Sequence, residues 1–108
     1  MSRPIPPIPD YTSFRDLERR NTEAGNFWFE PDTMRFFRTR LCGDPLVSGS
    51  RVFFVTSERN GWDNPRLYSV RVMDWGTGDV DTVGEFQGYR TRSGALGACR
   101  RAAQEVAP

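Results

Sequence analysis

Three segments rich in β-branched and aromatic residues follow closely on one another in the second half of the chain, and they constrain the fold more than any other feature. They are residues 51–58, 66–75 and 79–87. The connections between them contain the turn-forming groups Asn60-Gly61, Asn64-Pro65 and Gly76-Thr77-Gly78. Short strands joined by such turns pair with their neighbours in the antiparallel sense. The sequence therefore predicts an antiparallel sheet at the centre of the fold.

The last two of these segments predict a hairpin with a definite register. Centring the turn on Thr77 places these residues opposite each other: Asp74 and Val80, Val72 and Thr82, Val70 and Gly84, Tyr68 and Phe86. This register gathers most of the apolar side chains on one face, and a shift of one residue would destroy that arrangement. We expect Tyr68, Val70, Val72 and Phe86 to be shielded from water by a C-terminal helix.

Phe53 and Phe54 are adjacent in the first predicted strand, so their side chains point to opposite faces of the sheet. We expect one ring to fill the core. The other ring lies on the second face, where it is either covered by another segment or left as a contact surface; we favour covering by the N-terminal segment.

A short helix is predicted near the N-terminus. Ser13 and Asp16 have the spacing of a capping box, and Gly25 is a typical stop, so the helix spans residues 13–23. Residues 26–41 allow two interpretations, because the run is too short for its periodicity to decide. Pro31 favours one helical turn through Phe37 that leads into a strand, and alternatively a strand covers 34–41; we favour the helical turn.

A second helix is predicted at the C-terminus, with Thr91 or Ser93 as its cap and an end near residue 106. Its apolar face has spacings of three and four and consists mainly of Ala95, Ala98, Cys99, Ala102 and Val106. Because these side chains are small, the helix axis can lie close to the sheet.

Together these elements predict one α+β domain over residues 11–108. It has an antiparallel sheet of three to four strands, a C-terminal helix packed on one face and a short N-terminal helix. Residues 1–10 contain four prolines and are predicted to form a proline-rich, extended arm.

Two residue types that carry much of enzyme chemistry are missing. The chain has no His, and all fifteen of its basic residues are arginine, so it lacks an imidazole base and a Schiff-base lysine. Asp79 and Asp81 share a face, but no further ligand completes a cation site, and we interpret them as solubilising acids. Cys42 and Cys99 could form a disulfide, but we favour two reduced thiols. We expect no catalytic activity, no cofactor and no metal.

The overall charge and hydropathy argue against a general attraction to large anionic partners or lipid. The formal net charge is only +1, so no strong field favours nucleic acid or a membrane surface. No apolar run approaches the ~20 residues that span a bilayer. The N-terminus has no basic-then-apolar run, so we expect no signal peptide. We expect a cytoplasmic protein.

Two surfaces are candidates for binding. Trp62 lies in a loop between Arg59 and Arg66 and, with Arg71, has the composition of a protein interface; alternatively, Trp62 folds back as a lid on the core. The second surface consists of Arg90, Arg92, Arg100 and Arg101. The order helix, three strands, helix is similar to that of double-stranded-RNA-binding domains, whose second helix grips phosphate. The lysine cluster of those domains is missing here, so nucleic-acid binding is the alternative function.

Several short motifs carry a resemblance to a known family. They are Asn26-Phe27-Trp28-Phe29, Asp32-Thr33-Met34-Arg35-Phe36-Phe37, Phe54-Val55-Thr56-Ser57-Glu58, Tyr68-x-Val70-Arg71 and Glu85-Phe86-Gln87-x-Tyr89. Through them the chain resembles a family of small proteins of unknown function from actinobacterial phages and prophages. The resemblance implies a phage protein in the host bacterial cytoplasm. By analogy it implies a host or phage protein as partner, with a homodimer as a further option.

Overall fold

The computed structural model describes residues 5, 7–9, 12–36 and 38–106, without the side chain of Val106. Predictions that concern the rest of the proline-rich arm and the Val106 side chain lie outside the described residues. The helices are α1 (Phe14–Glu23), α2 (Pro31–Phe36) and α3 (Arg92–Val106), and the strands are β1 (Arg40–Ser48), β2 (Arg51–Glu58), β3 (Leu67–Asp74) and β4 (Val80–Val83).

The four strands form one antiparallel sheet in the order β1-β2-β3-β4. The predicted α+β fold, with α3 on the sheet and a short N-terminal helix, is confirmed. The predicted strand 51–58 has the observed bounds of β2, and the strand predicted over 66–75 is one residue shorter at each end. The alternative strand over 34–41 is wrong, because α2 occupies its first half and β1 starts only at Arg40. A bulge between Cys42 and Leu46 interrupts the pairing of β1 with β2 and breaks the alternation that would identify this strand from sequence.

Both faces of the sheet are covered. On one face, Phe53, Val55 and Val70 pack against the small side chains of α3. On the other face, Phe54 is fully buried and its ring makes edge contacts with Phe14 of α1 and Trp28, with ring centroids 5.9 and 5.7 Å apart. The prediction that Phe53 and Phe54 fill opposite sides, with the N-terminal segment covering one of them, is confirmed.

The ends of the helices follow the sequence signals. The Ser13 hydroxyl accepts a hydrogen bond from the Asp16 backbone N–H, and the Asp16 carboxylate accepts one from the Ser13 backbone N–H. The bond from the Ser13 N–H and a second one from the Ser13 hydroxyl to the same carboxylate lower the pKa of Asp16. The Thr91 hydroxyl accepts a hydrogen bond from the Gly94 N–H, so Thr91 caps α3.

The predicted β3–β4 register is wrong by one residue. Val72 lies opposite Asp81 and Val70 lies opposite Val83. The turn explains the shift, because the Asp74 carboxylate accepts hydrogen bonds from the N–H groups of Gly76 and Thr77 and fixes a four-residue loop that closes on Asp79. A loop with an even number of residues has no central residue, so it cannot be centred on Thr77.

The strand predicted over 79–87 is also too long. It ends at Val83, and Gly84 follows with a φ of +75°. Phe86 therefore leaves the ladder and is 41% exposed. The prediction that α3 shields Phe86 is wrong, whereas Tyr68, Val70 and Val72 do belong to the cluster beneath α3.

The β3–β4 turn is held by the end of α1. The Arg20 guanidinium donates hydrogen bonds to the carbonyls of Trp75 and Gly76, at 2.6 and 2.7 Å. The turn packs closely against the end of α1, because a Cβ atom at Gly78 would lie 2.5 Å from the Ala24 Cβ. This contact fixes the layer of N-terminal elements on the sheet face where the candidate site lies.

Candidate functional site

A buried ion pair lies between β2 and β3. The Arg71 Nη2 and Glu58 Oε1 atoms are 2.7 Å apart, and the Glu58 side chain is fully buried. Glu58 also accepts hydrogen bonds from the hydroxyls of Thr56 and Ser69. Arg71 donates further hydrogen bonds to Thr56 and Thr82. A buried ion pair is tolerated only when the remaining hydrogen-bonding groups of both side chains also have partners, as they do here.

Two aromatic rings hold the Arg71 guanidinium from outside the sheet. The guanidinium carbon lies 5.5 Å from the centroid of Trp28 and 5.1 Å from that of Phe86. Both distances are within the range of cation–π attraction. Arg71 is therefore fixed by the sheet on one side and by two rings on the other.

These residues form the floor and walls of a groove with a volume of about 660 Å³, which we call the aromatic groove. It is lined by Trp28, Asp32, Thr33, Met34, Phe36, Thr39, Arg71, Thr82 and Phe86. One wall is α2, which begins at Pro31, a residue that suits a first helical position. Phe36 at the end of α2 is 79% exposed. The groove thus combines a rigid floor with a large exposed aromatic surface.

Four arginines at one end of the sheet form a second feature, the arginine cluster: Arg38, Arg40, Arg59 and Arg66. Arg66 Nη1 donates hydrogen bonds to the Arg38 carbonyl at 2.9 Å and to the Ser57 hydroxyl at 3.0 Å. Arg40 pairs with Ser57 across β1 and β2. Partial burial and the charges of Arg40 and Arg59 lower the pKa of Arg66. The cluster is therefore a concentration of like charge.

Arg40 and Arg66 lie on the face of the sheet that α3 covers, because Arg40 pairs with Ser57 and the Ser57 hydroxyl accepts a hydrogen bond from Arg66. The aromatic groove lies on the opposite face. At the same end of the sheet, Asn60 and Gln87 exchange two side-chain hydrogen bonds of 3.0 and 3.3 Å, and Gln87 follows directly after Phe86. These bonds tie the loop of residues 59–66 to the rim of the groove.

The structure brings together three of the four predicted protein-interface residues. Arg59 and Arg66 belong to the arginine cluster, and Trp62 in the same loop is 73% exposed. This exposure excludes the alternative that Trp62 is a lid on the core. Arg71 does not join them, because it is only 8% exposed and forms the floor of the aromatic groove.

The predicted nucleic-acid residues are divided along α3. Tyr89 pairs with Tyr68, so Arg90 and Arg92 lie at the same end of the sheet as the arginine cluster. Arg100 and Arg101 lie two turns further on, about 12 Å along the helix axis. All four arginines are exposed.

No group of potential metal ligands is present in the described part of the chain. Cys42 and Cys99 are free thiols, as predicted. Burial raises the pKa of Cys99 to about 11, so this thiol stays neutral and unreactive near pH 7. None of the helices among the described residues has the length and apolar character that a membrane crossing requires.

Neither the aromatic groove nor the role of Glu58 was predicted from the sequence. A signal was present, because Thr56 and Glu58 alternate with Phe54 and therefore lie on the same face of β2. A carboxylate in phase with a buried phenylalanine needs a cationic partner. Arg71, on the neighbouring strand, is that partner.

The comparisons with known proteins give one match. A family model described as a family of unknown function (DUF7447) matches residues 13–100. This range includes α1, α2, all four strands and the first part of α3, and so contains the aromatic groove and the arginine cluster. No curated protein and no solved structure matches the chain.

Proposed function

Since this chain belongs to the DUF7447 family of unknown function, we propose its function from the geometry of its own residues: it is a non-catalytic module that binds another protein through the aromatic groove. The observation that carries the proposal is the exposure of Phe36 and Phe86 around a cavity of about 660 Å³. Large exposed apolar surfaces on small proteins are typical of interaction sites. Pockets lined by aromatic side chains with a few fixed polar groups are typical of binding sites.

The groove is organised before any partner arrives. Arg71 is held by Glu58, two threonines and two rings, so its conformation is already fixed. Binding of a partner therefore costs little conformational entropy at Arg71, because this side chain is already ordered. The non-catalytic role is inferred from the absence of His and Lys from the sequence.

We further propose that the partner is a host or phage protein, and that the chain acts in the cytoplasm of an actinobacterial host. This part rests on the resemblance in the motifs from Asn26 to Tyr89 and on the analogy with other small phage proteins. Trp62, Arg59 and Arg66 are proposed as a second contact, because they lie on one loop that the Asn60–Gln87 hydrogen bonds tie to the rim of the groove.

Photo-crosslinking tests the groove directly. The photoreactive residue p-benzoylphenylalanine at position 36 is expected to capture a discrete protein in lysate from infected actinobacterial cells. The matched control carries the same residue at Gln104, which is exposed on α3. Phe86→Ser introduced together with the crosslinker at position 36 is expected to abolish capture, and Trp62→Ala to reduce it. Equal products from positions 36 and 104 would refute the proposal.

Nucleic-acid binding is the second candidate, favoured by the position of Arg90 and Arg92 beside the arginine cluster. It predicts binding of a double-stranded RNA or DNA probe that weakens steeply as salt rises. It also predicts a loss of affinity for Arg92→Glu. The absence of binding at low salt would exclude it.

A further inference from the structure

We propose that the aromatic groove binds a proline-rich segment in the polyproline II conformation, and that this segment is residues 3–7 of a second copy of the chain. The inference rests on the proposed function, since it treats the groove as a protein-binding site, and it adds the occupant. Each of two copies then places its arm in the groove of the other, which gives the closed two-fold dimer that is commonest among protein oligomers.

The walls of the groove match the surface on which polyproline II segments dock. Trp28, Phe36 and Phe86 line it, and SH3 and WW domains hold proline-rich ligands in grooves lined by aromatic rings. The floor is preformed, because the Arg71 guanidinium lies against the rings of Trp28 and Phe86. A polyproline II segment is also extended before it binds, so its docking costs little conformational entropy. Aromatic walls and a fixed floor therefore suit a stiff, extended ligand.

The charge of the groove favours a ligand with a cationic end. Arg71 at the floor is paired with Glu58 at 2.7 Å, so this ion pair is neutral overall. Asp32 on the wall has an exposed carboxylate, which lies 3.8 Å from the exposed guanidinium of Arg35. Exposed pairs of this kind contribute little, so the Asp32 carboxylate can accept hydrogen bonds from the arginine of a partner.

The N-terminus of the chain has a sequence that complements these features. Residues 3–7 read Arg-Pro-Ile-Pro-Pro, which places Pro4 and Pro7 at the P-x-x-P spacing with Arg3 directly beside them. Proline fixes φ near the polyproline II value, so this composition favours that conformation. At about 3.1 Å per residue, five residues span about 15 Å. The arm therefore offers proline rings to the aromatic walls and an arginine to Asp32.

The position of the arm on its own domain points to a second copy as the source of the ligand. Ile8 packs against the hydrophobic core and anchors the arm. Ahead of this anchor, Ile5 is 56% exposed and Pro7 is exposed as well. Pro7 lies beside α1 and Trp75, and none of the described arm residues lines the groove of the same chain. The segment is therefore accessible to the groove of another molecule.

Sedimentation velocity of the full chain over a range of concentrations tests the inference. We expect a reversible dimer that forms as the concentration rises. The double substitution Pro4→Ala and Pro7→Ala in the arm, and separately Phe36→Ala in the groove, should each weaken dimerisation about tenfold or more, a change of ~1.4 kcal/mol. Phe27→Ala is the matched control, because Phe27 is 70% exposed and lies outside the groove lining. It should leave dimerisation unchanged, and circular dichroism confirms that each variant is folded.

A charge exchange tests whether the contact is made between two molecules. Arg3→Asp and Asp32→Arg should each weaken dimerisation, because each variant brings like charges together in both arm–groove contacts. In an equimolar mixture of these two variants, both contacts of a mixed dimer pair opposite charges. We therefore expect the mixture to dimerise at least about tenfold more tightly than either variant alone. An arm that binds the groove of its own chain gives no such rescue.

Several outcomes would overturn the inference. They are a monomer at every concentration, equal effects of Phe36→Ala and Phe27→Ala, a dimer that the arm substitutions leave unchanged, or no rescue in the mixture. If the chain stays monomeric while crosslinking at position 36 still captures a protein, the groove binds a partner of different chemistry and the proposed function stands without this inference. If position 36 captures only a second copy of the chain, this inference stands and the host or phage partner is excluded. The two proposals can therefore fail separately.

Discussion

Replacing one partner of the Glu58–Arg71 ion pair leaves the other without its counter-charge. The cost of replacing both should therefore be smaller than the sum of the two single costs. Arg71→Met leaves the Glu58 carboxylate fully buried with only the hydroxyls of Thr56 and Ser69 as partners. It also removes the cation between the rings of Trp28 and Phe86. Glu58→Gln is milder, because the amide keeps the shape of the side chain and Arg71 remains near the solvent in the groove.

The structure sets the expected magnitudes. Breaking a buried ion pair from one side costs about 3–5 kcal/mol, and we expect this for Arg71→Met. For Glu58→Gln we expect about 1–3 kcal/mol, the cost of weakened hydrogen bonds to a charged group. The double variant contains no uncompensated charge, so its cost should fall at least ~2 kcal/mol below the sum of the single costs. A domain of this size has a total stability of about 5–15 kcal/mol, so each loss is measurable.

Urea unfolding followed by far-ultraviolet circular dichroism gives the free energy of unfolding for all four proteins of the cycle. The slope of the transition should be equal in the four proteins, which shows that the native state keeps its compactness. Leu46→Ala removes a partly buried side chain on the opposite face of the sheet, beneath α3, and serves as a comparison for ordinary packing loss. If the costs of Glu58→Gln and Arg71→Met are additive, the two side chains do not act as a buried pair and the reasoning is refuted.

Three further predictions concern the framework of the site. Ser13→Ala removes the α1 cap and should lower the free energy of unfolding by about 1 kcal/mol; no change in the urea midpoint would contradict this. Gly84→Ala should cost about 1 kcal/mol, because its positive φ is strained but its surroundings are open. Gly78→Ala adds a clash with α1 to the same strain and should cost at least ~2 kcal/mol more; equal urea midpoints for the two would contradict the contact. Cys99, whose pKa is raised to about 11, should be alkylated by iodoacetamide at pH 8 at least about tenfold more slowly than Cys42, as measured by mass spectrometry; equal rates would contradict its burial.

Local signals in the sequence predict the elements of this fold well. The capping box at Ser13, the β-rich segment 51–58 and the small-residue face of α3 each depend on neighbouring residues, and each is confirmed. The β3–β4 register was predicted wrongly because it depends on the Asp74 side chain, which accepts two backbone hydrogen bonds and selects a four-residue turn. A pattern of apolar and polar residues contains no information on that choice.

The candidate site was harder to predict because its residues come from distant segments. Trp28 and Phe36 belong to the N-terminal segment, Arg71 and Phe86 lie far from them in the sequence, and the two pairs meet only after the N-terminal segment covers the sheet. The observed β3–β4 register, with Thr82 opposite Arg71, places Phe86 on the same side of the sheet as Arg71. The exposure of Trp62, by contrast, was one of two alternatives that its loop composition left open, and the structure selects it.

Arg71 shows how one strand register decides the interpretation of a surface. The sequence suggested an exposed interface arginine, because the loop between β2 and β3 is too long to fix their register. The observed pairing places Arg71 opposite Phe54 and within reach of Thr56 and Glu58. The guanidinium is therefore neutralised inside the sheet, and its outer face is free to stack on two aromatic rings. The aromatic groove exists because this cation is buried: an Arg71 side chain extended into solvent would leave the groove without a floor, and Trp28 and Phe86 without the group that holds them apart.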